Sequence, residues 1–133
     1  MELTIYIDGA SRSNPGEAGA GVFILKGGEP VARIARYLGI TTNNVAEYTA
    51  AIVALEEALR LRATAVRLFA DSELLVRQLN GLYKVKSEGL KPLHKKAREL
   101  IAKIGRVEVQ YIPREKNKEA DALANKAIDE KIG

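Results

Sequence analysis

The chain has 133 residues, no cysteine, one histidine and a net charge of +4, from 21 Lys and Arg against 17 Asp and Glu. That length is one domain, 1–133. The lack of cysteine excludes disulfides, thiolate metal sites and cysteine nucleophiles, and a single histidine excludes a three-histidine zinc centre. A hydrophobic content of 47% with 29% charged residues is that of a folded globular chain. No apolar run approaches the ~18–20 residues of a membrane span, and the start MELTIYIDG reads as a strand rather than an export leader. A cytoplasmic monomer with no membrane partner is therefore expected, and the modest positive balance permits a polyanionic partner without demanding one.

Leu3, Ile5 and Ile7 alternate with Thr4 and Tyr6, the period of a strand. The turn formers Asp8 to Gly16 follow, then a second strand over 18–26. Gly27 to Pro30 reads as a hairpin turn and 31–38 as a third strand. Tyr48, Ile52, Leu55 and Leu59 then recur at helical spacing, so a long helix is predicted over 42–62. Asn44 and Glu47 stand three apart at its start, as in a capping box. A short strand over 65–70, a helix over 72–80 stopped by Gly81, and a helix from Pro92 to Ile104 come next. Residues 106–112 form the last strand, with Val107, Val109 and Tyr111 on one face, and Asn117 caps a final helix through Ile132. The order βββαβααβα predicts an α/β domain: a mixed five-stranded sheet, three antiparallel strands then two parallel, flanked by helices.

Asp8 ends the first strand and Asp71 the fourth, where open α/β sheets place their sites. Asp is also a common turn and cap residue, so for Asp71 the capping reading stands beside the functional one. Glu47 lies on the same arc of its helix as Ala51, Ala54, Leu55 and Ala58, opposite Glu56, Glu57 and Arg60. A carboxylate on a core-facing stripe needs a partner, since burying an unpaired charge costs several kcal/mol. A capping box folded back onto Asn44 explains a Glu there but not its direction. Asp121 lies one turn into the last helix, where the helix dipole favours it, at the edge of the stripe Ala120, Leu123, Ala124, Ala127 and Ile128.

Four converging acids require a cation, because two carboxylates ~4 Å apart repel by about 4 kcal/mol at an effective dielectric of 20. An all-oxygen site selects Mg²⁺ or Mn²⁺. Two such ions ~3.5–4 Å apart are the machinery of phosphodiester cleavage.

Four segments in order, Asp8-Gly9-Ala10-Ser11 with Asn14-Pro15-Gly16, Thr41-Thr42-Asn43-Asn44-Val45-Ala46-Glu47, Asp71-Ser72, and Asn117 to Ala124, resemble ribonuclease H of the type HI family over almost the whole chain. The resemblance implies a ribonuclease H-like fold and an endonuclease that hydrolyses the RNA strand of an RNA–DNA hybrid, leaving 5′-phosphate and 3′-hydroxyl ends. It implies Asp8, Glu47, Asp71 and Asp121 as catalytic metal ligands, with two Mg²⁺ or Mn²⁺ ions per site when substrate is bound and Asp8 bridging them. Contacts to the 2′-OH would distinguish RNA from DNA. Gly9, Ser11, Asn14, Thr42, Asn43 and Asn44 resemble the family's substrate-binding groups. The alternatives are another nuclease on the same fold, which the Thr-Asn-Asn and Asn-Pro-Gly segments argue against, and a non-catalytic RNA- or hybrid-binding module. A full set of acids argues against the second, because without metals it repels phosphate.

Three departures stand out. The loop before the last acid, Pro113-Arg114-Glu115-Lys116, lacks the family's histidine, and Arg114 is expected to take part of its role as a substrate contact. The only histidine, His94, reads as a solvated side chain. The family's basic handle is shortened to 81–96, with Lys84 and Lys86 expected to bind substrate beside Lys91, Lys95 and Lys96, and no Trp. Glu73 follows Asp71-Ser72, where a neutral residue is familiar, and adds negative charge near the substrate.

Overall fold

The computed structural model describes residues 1–133. Its elements follow the expected order: β1 (Glu2–Ser11), β2 (Gly16–Lys26), β3 (Glu29–Thr41), α1 (Asn43–Arg60), β4 (Ala65–Ala70), α2 (Glu73–Leu79), α3 (Lys91–Ile104), β5 (Arg106–Tyr111) and α4 (Lys118–Glu130), with one 3₁₀ turn over Arg114–Lys116. The strands form a single sheet ordered β3-β2-β1-β4-β5. β2 runs antiparallel to β1 and β3, whereas β4 runs parallel to β1 and β5.

The β2–β3 hairpin is longer than the sequence suggests. Gly27 and Gly28 both have positive φ, 58° and 82°, as a two-residue turn that matches the twist of its strands requires. Lys26 then pairs with Glu29, and β3 extends from Glu29 to Thr41 instead of 31–38. Pro30 is tolerated inside it because β3 is an edge strand.

Side chains alternate across the sheet, so each strand serves two helical layers. Ile5, Ile7, Ala20, Val22, Ile24, Val66 and Leu68 face the main core with α1 residues such as Tyr48, Ala51 and Leu55 and with Ala97, Leu100 and Ile104 of α3. The opposite parity meets α4. A Cβ on Gly21 would run into the Ala120 carbonyl, and one on Gly19 into the Ala124 carbonyl, so α4 lies directly on the β2 backbone. Tyr6, Phe23 and Phe69 cluster on this second face, with Tyr6 stacked on Phe69 at a ring separation of 5.1 Å. Tyr111 shares a face of the last strand with Val107 and Val109 but is exposed where Val109 is buried, at the end of β5 on the other edge of the sheet.

Helix ends depart from the sequence reading in instructive ways. Thr42, not Asn44, caps α1: its Oγ1 accepts from the Val45 N–H at 3.2 Å. Ser72 caps α2 by accepting from the Leu75 N–H at 3.2 Å, which removes the capping reading of Asp71. Asn117 occupies the cap position of α4 but its side chain makes no capping bond. His94 is half-buried rather than solvated, its ring edge-on to Tyr48 and its Nε2 3.2 Å from the Gln78 carbonyl.

Candidate active site

β1 and β4 are parallel neighbours whose last paired residues are Ile7 and Ala70. Asp8 does not end its strand as the sequence suggests, because β1 continues along β2 to Ser11; it is the first β1 residue beyond the parallel ladder, and Asp71 is the residue after β4, so both acids emerge where that ladder ends, beside the loops where open α/β sheets keep their crevices. Glu47 comes from the second turn of α1. It reaches this point because Gly9 has no side chain: a Cβ there would overlap the Ala46–Glu47 peptide. The close approach lets the Gly9 N–H donate to the Glu47 carboxylate. The capping-box expectation therefore fails, and Glu47 is 4% exposed, directed across the interior instead of back along its helix.

Carboxylate oxygens of Asp8, Glu47 and Asp71 lie within 4.8 Å of one another. Asp121 lines the same cleft from the first turn of α4 but stands outside this triad, with the Arg114 guanidinium 3.9 Å from its carboxylate. The Arg114 side chain is 82% exposed, so it screens the outer acid and leaves the inner three uncompensated. Burial, then the charges of Glu47 and Asp71, hold the Asp8 carboxyl far above the carboxylate range, at about 10. Burial raises Glu47 as well, to about 7, against the opposing pull of the Gly9 N–H. Three carboxylates, two of them buried and none facing a buried cation, form a hard, all-oxygen donor set that fits a divalent ion such as Mg²⁺ or Mn²⁺.

The other predicted site residues divide into three groups. Gly9, Ser11, Asn43 and Arg114 line the cleft with the acids. Asn14 and Thr42 shape its rim: Asn14 Oδ1 accepts from the Asn43 N–H at 3.1 Å, and the Ser11 hydroxyl donates to the Thr41 carbonyl at 3.0 Å beside the Thr42 cap. Asn44 is exposed and lies outside the cleft lining, as do Lys84 and Lys86. Lys84 instead borders a separate depression with Gln78, Lys91, His94 and Arg98. Glu73 is bound by Arg77 at 2.8 Å, so its charge is answered locally. Sequence reasoning missed Arg12, which lines the cleft while its guanidinium rests on Asp129 at 2.8 Å. It also missed the side-chain role of Asn117, whose Nδ2 donates to the Ile7 carbonyl at 2.8 Å and to Asp71 Oδ2 at 3.1 Å. Its place four residues before Asp121 in the loop–helix junction was the only trace of that role in the sequence.

Comparison with known proteins gives this arrangement a context. The Reverse transcriptase-like family model matches residues 6–127. A bifunctional protein of Mycobacterium tuberculosis is 39% identical over 131 residues, which is 97% of this chain and 36% of that protein. Ribonuclease HI of Halobacterium salinarum is 40% identical over 126 residues, 94% of this chain and 63% of the relative. The chain thus spans only about a third to two-thirds of these relatives. The crystal structure of RNase H1 from Halobacterium salinarum superposes with a TM-score of 0.94 at 39% identity, covering 98% of this chain and 99% of that one. LC11-RNase H1, solved in complex with RNA/DNA hybrid, gives 0.92 at 42% identity over 97% and 98%. The fold is the mixed α/β fold of the RNase H1 structures. The chain belongs to the ribonuclease HI (type 1 ribonuclease H) family of hydrolases.

Proposed function

We propose that this single 133-residue domain acts as a monomeric endonuclease on the RNA strand of RNA–DNA hybrids, with Mg²⁺ or Mn²⁺, leaving 5′-phosphate and 3′-hydroxyl ends. The observation that carries the reading is the triad Asp8, Glu47 and Asp71 within 4.8 Å where the parallel ladder of β1 and β4 ends, open to a cleft that Asp121 also lines. Asp8, Glu47, Asp71 and Asp121 would hold a pair of divalent ions, and Asp8 is the acid on which the other three all bear. Bound there, the ions supply an activated water nucleophile and neutralise charge on the leaving 3′ oxygen.

The chain's own residues do the positioning. The Gly9 N–H holds the Glu47 carboxylate and the Asn117 amide holds the Asp71 carboxylate, each beside the cleft. Asn43, tied through its N–H to Asn14, offers an amide side chain at the cleft wall to the 2′-OH that DNA lacks. Arg114 stands at the mouth as a phosphate contact, a permanent cation with no capacity to shuttle protons. Lys84 and Lys86 would grip the duplex backbone farther out. The LC11 relative, solved with RNA/DNA hybrid, supports that choice of substrate. The test is a gel assay on labelled RNA–DNA hybrid, double-stranded RNA and single-stranded RNA with Mg²⁺, Mn²⁺ or chelator. Hybrid cleavage that needs metal supports the reading, and undiminished cleavage in excess chelator sinks it.

A further inference from the structure

We propose that Asn117 is the positioning residue of the acid cluster, a neutral brace that fixes the Asp71 carboxylate to β1. The proposal rests on the reading of the cleft as a metal-dependent hydrolase site. At the cap of a helix, an Asn side chain ordinarily turns its oxygen onto the free N–H groups of the first turn. Asn117 does not. It is 1% exposed, and its amide points away from α4 into the sheet. One Nδ2 proton is given to the Ile7 carbonyl at 2.8 Å and the other to Asp71 Oδ2 at 3.1 Å. Ile7 immediately precedes Asp8. The Asn117 carbonyl accepts the Asp121 N–H at 3.1 Å. A single residue therefore joins the strand of one acid, the carboxylate of a second and the helix turn of a third.

The orientation of that amide is forced. Reversing it would set Oδ1 against two acceptors, a carbonyl and a carboxylate. In the orientation present, Oδ1 is buried with no hydrogen-bond partner. A residue selected only to start a helix or fill space would not leave a buried acceptor unpaired, since such groups are costly and rare. The amide is also the right chemical type. A Lys or Arg at this point would neutralise Asp71 and compete with a divalent cation. The amide holds one oxygen in place and leaves the charge and the other oxygen free for metal. Groups that orient a ligand in this way ordinarily matter as much as 10–100-fold in metal affinity.

The experiment is a double-mutant cycle read by Mn²⁺ affinity without substrate, by isothermal calorimetry, on the full chain: parent, N117A, D71A and N117A/D71A. N117A is expected to weaken Mn²⁺ binding roughly tenfold or more in the parent background, and less than twofold when Asp71 is already gone. Parent-like affinity in N117A, or an equal loss in both backgrounds, overturns the proposal. Should N117A fail to fold, or D71A bind too weakly to measure, exchange of the two Asn117 Nδ2 protons in ¹⁵N-labelled parent and D71A decides. Both protons protected in the parent and one released in D71A supports the brace, and free exchange of both in the parent refutes it. A parent that binds no Mn²⁺ and cleaves no hybrid refutes instead the reading on which the brace depends.

Discussion

Residues 80–90, between α2 and α3, contain no helix or strand, and Lys84 and Lys86 stand in solvent. Where the parallel ladder of β1 and β4 ends the opposite holds: Glu47 is fixed by a backbone N–H, Asp71 by a buried amide, and Asp8 by the strand that carries it. Both regions would handle the same polyanion. Cations attract phosphate from many positions and need little placement, since surface charges act over a Debye length of about 8 Å. Clustered acids repel substrate unless metal ions sit among them, which demands placement within fractions of an ångström. The molecule has accordingly concentrated its side-chain constraints on the acids, while Lys84 and Lys86 extend into solvent from a segment held by its backbone and by Val85 and Leu90.

The largest expected effect comes from breaking the constrained side. D8N should lower the single-turnover rate on hybrid with Mg²⁺ by about a thousandfold, the several kcal/mol that charge stabilisation by a metal supplies. The same change should raise the melting temperature in chelator at neutral pH, because it removes the cost of taking up a proton to bury this carboxyl on folding. A variant with near-parent cleavage would remove Asp8 from the centre of the site.

Next comes stability against pH in metal-free buffer. Asp8 and Glu47 are raised from 3.8 and 4.5 to about 10 and about 7 in the folded chain. Between the unfolded and folded values the native state binds more protons, so stability is fully present below about pH 4 and falls as pH rises, through about 7 for Glu47 and beyond for Asp8. Urea unfolding in chelator at pH 5 and pH 8 should show the loss, D8N should flatten it, and Mg²⁺ should restore stability at pH 8. Equal slopes for parent and D8N would contradict the electrostatic picture.

Smaller effects sharpen the comparison from the basic side. R114A should reduce kcat roughly tenfold, the cost of losing one charged hydrogen bond near the reacting phosphate, with little change in melting temperature. An unchanged kcat would assign Arg114 to screening Asp121 alone. K84A/K86A should keep kcat, weaken hybrid binding at low salt and flatten the slope of log affinity against log salt by about one to two units. If neither affinity nor slope changes, phosphate contact lies elsewhere on the surface.

Much of this was readable from the chain. The strand at Ala65–Ala70 is where its short, mostly apolar run places it, and the direction of Glu47 follows from its helical arc. Both are local patterns of apolar residues, readable without knowing what packs against them. What escaped depends on contacts between distant residues. Asn117 carries the sequence marks of a cap, and only the arrival of Ile7 and Asp71 beside it shows why its amide turns the other way. His94 sits among lysines, yet Tyr48 and the Gln78 carbonyl hold it in from elements not adjacent in sequence. Thr42 rather than Asn44 is the cap because α1 begins at Asn43, which puts Asn44 inside the first turn.

The glycines of β2 set a limit on how this protein can be improved. Replacing strand glycines with residues of better β-propensity is an ordinary route to a more thermostable sheet. At Gly21 the added carbon would meet the Ala120 carbonyl, the peptide that joins Ala120 to Asp121. The helix would have to rise off the sheet to make room, taking the fourth acid with it. A library screened for heat resistance alone would therefore meet a cost in activity at this strand, although β2 contributes no side chain of its own to the four acids.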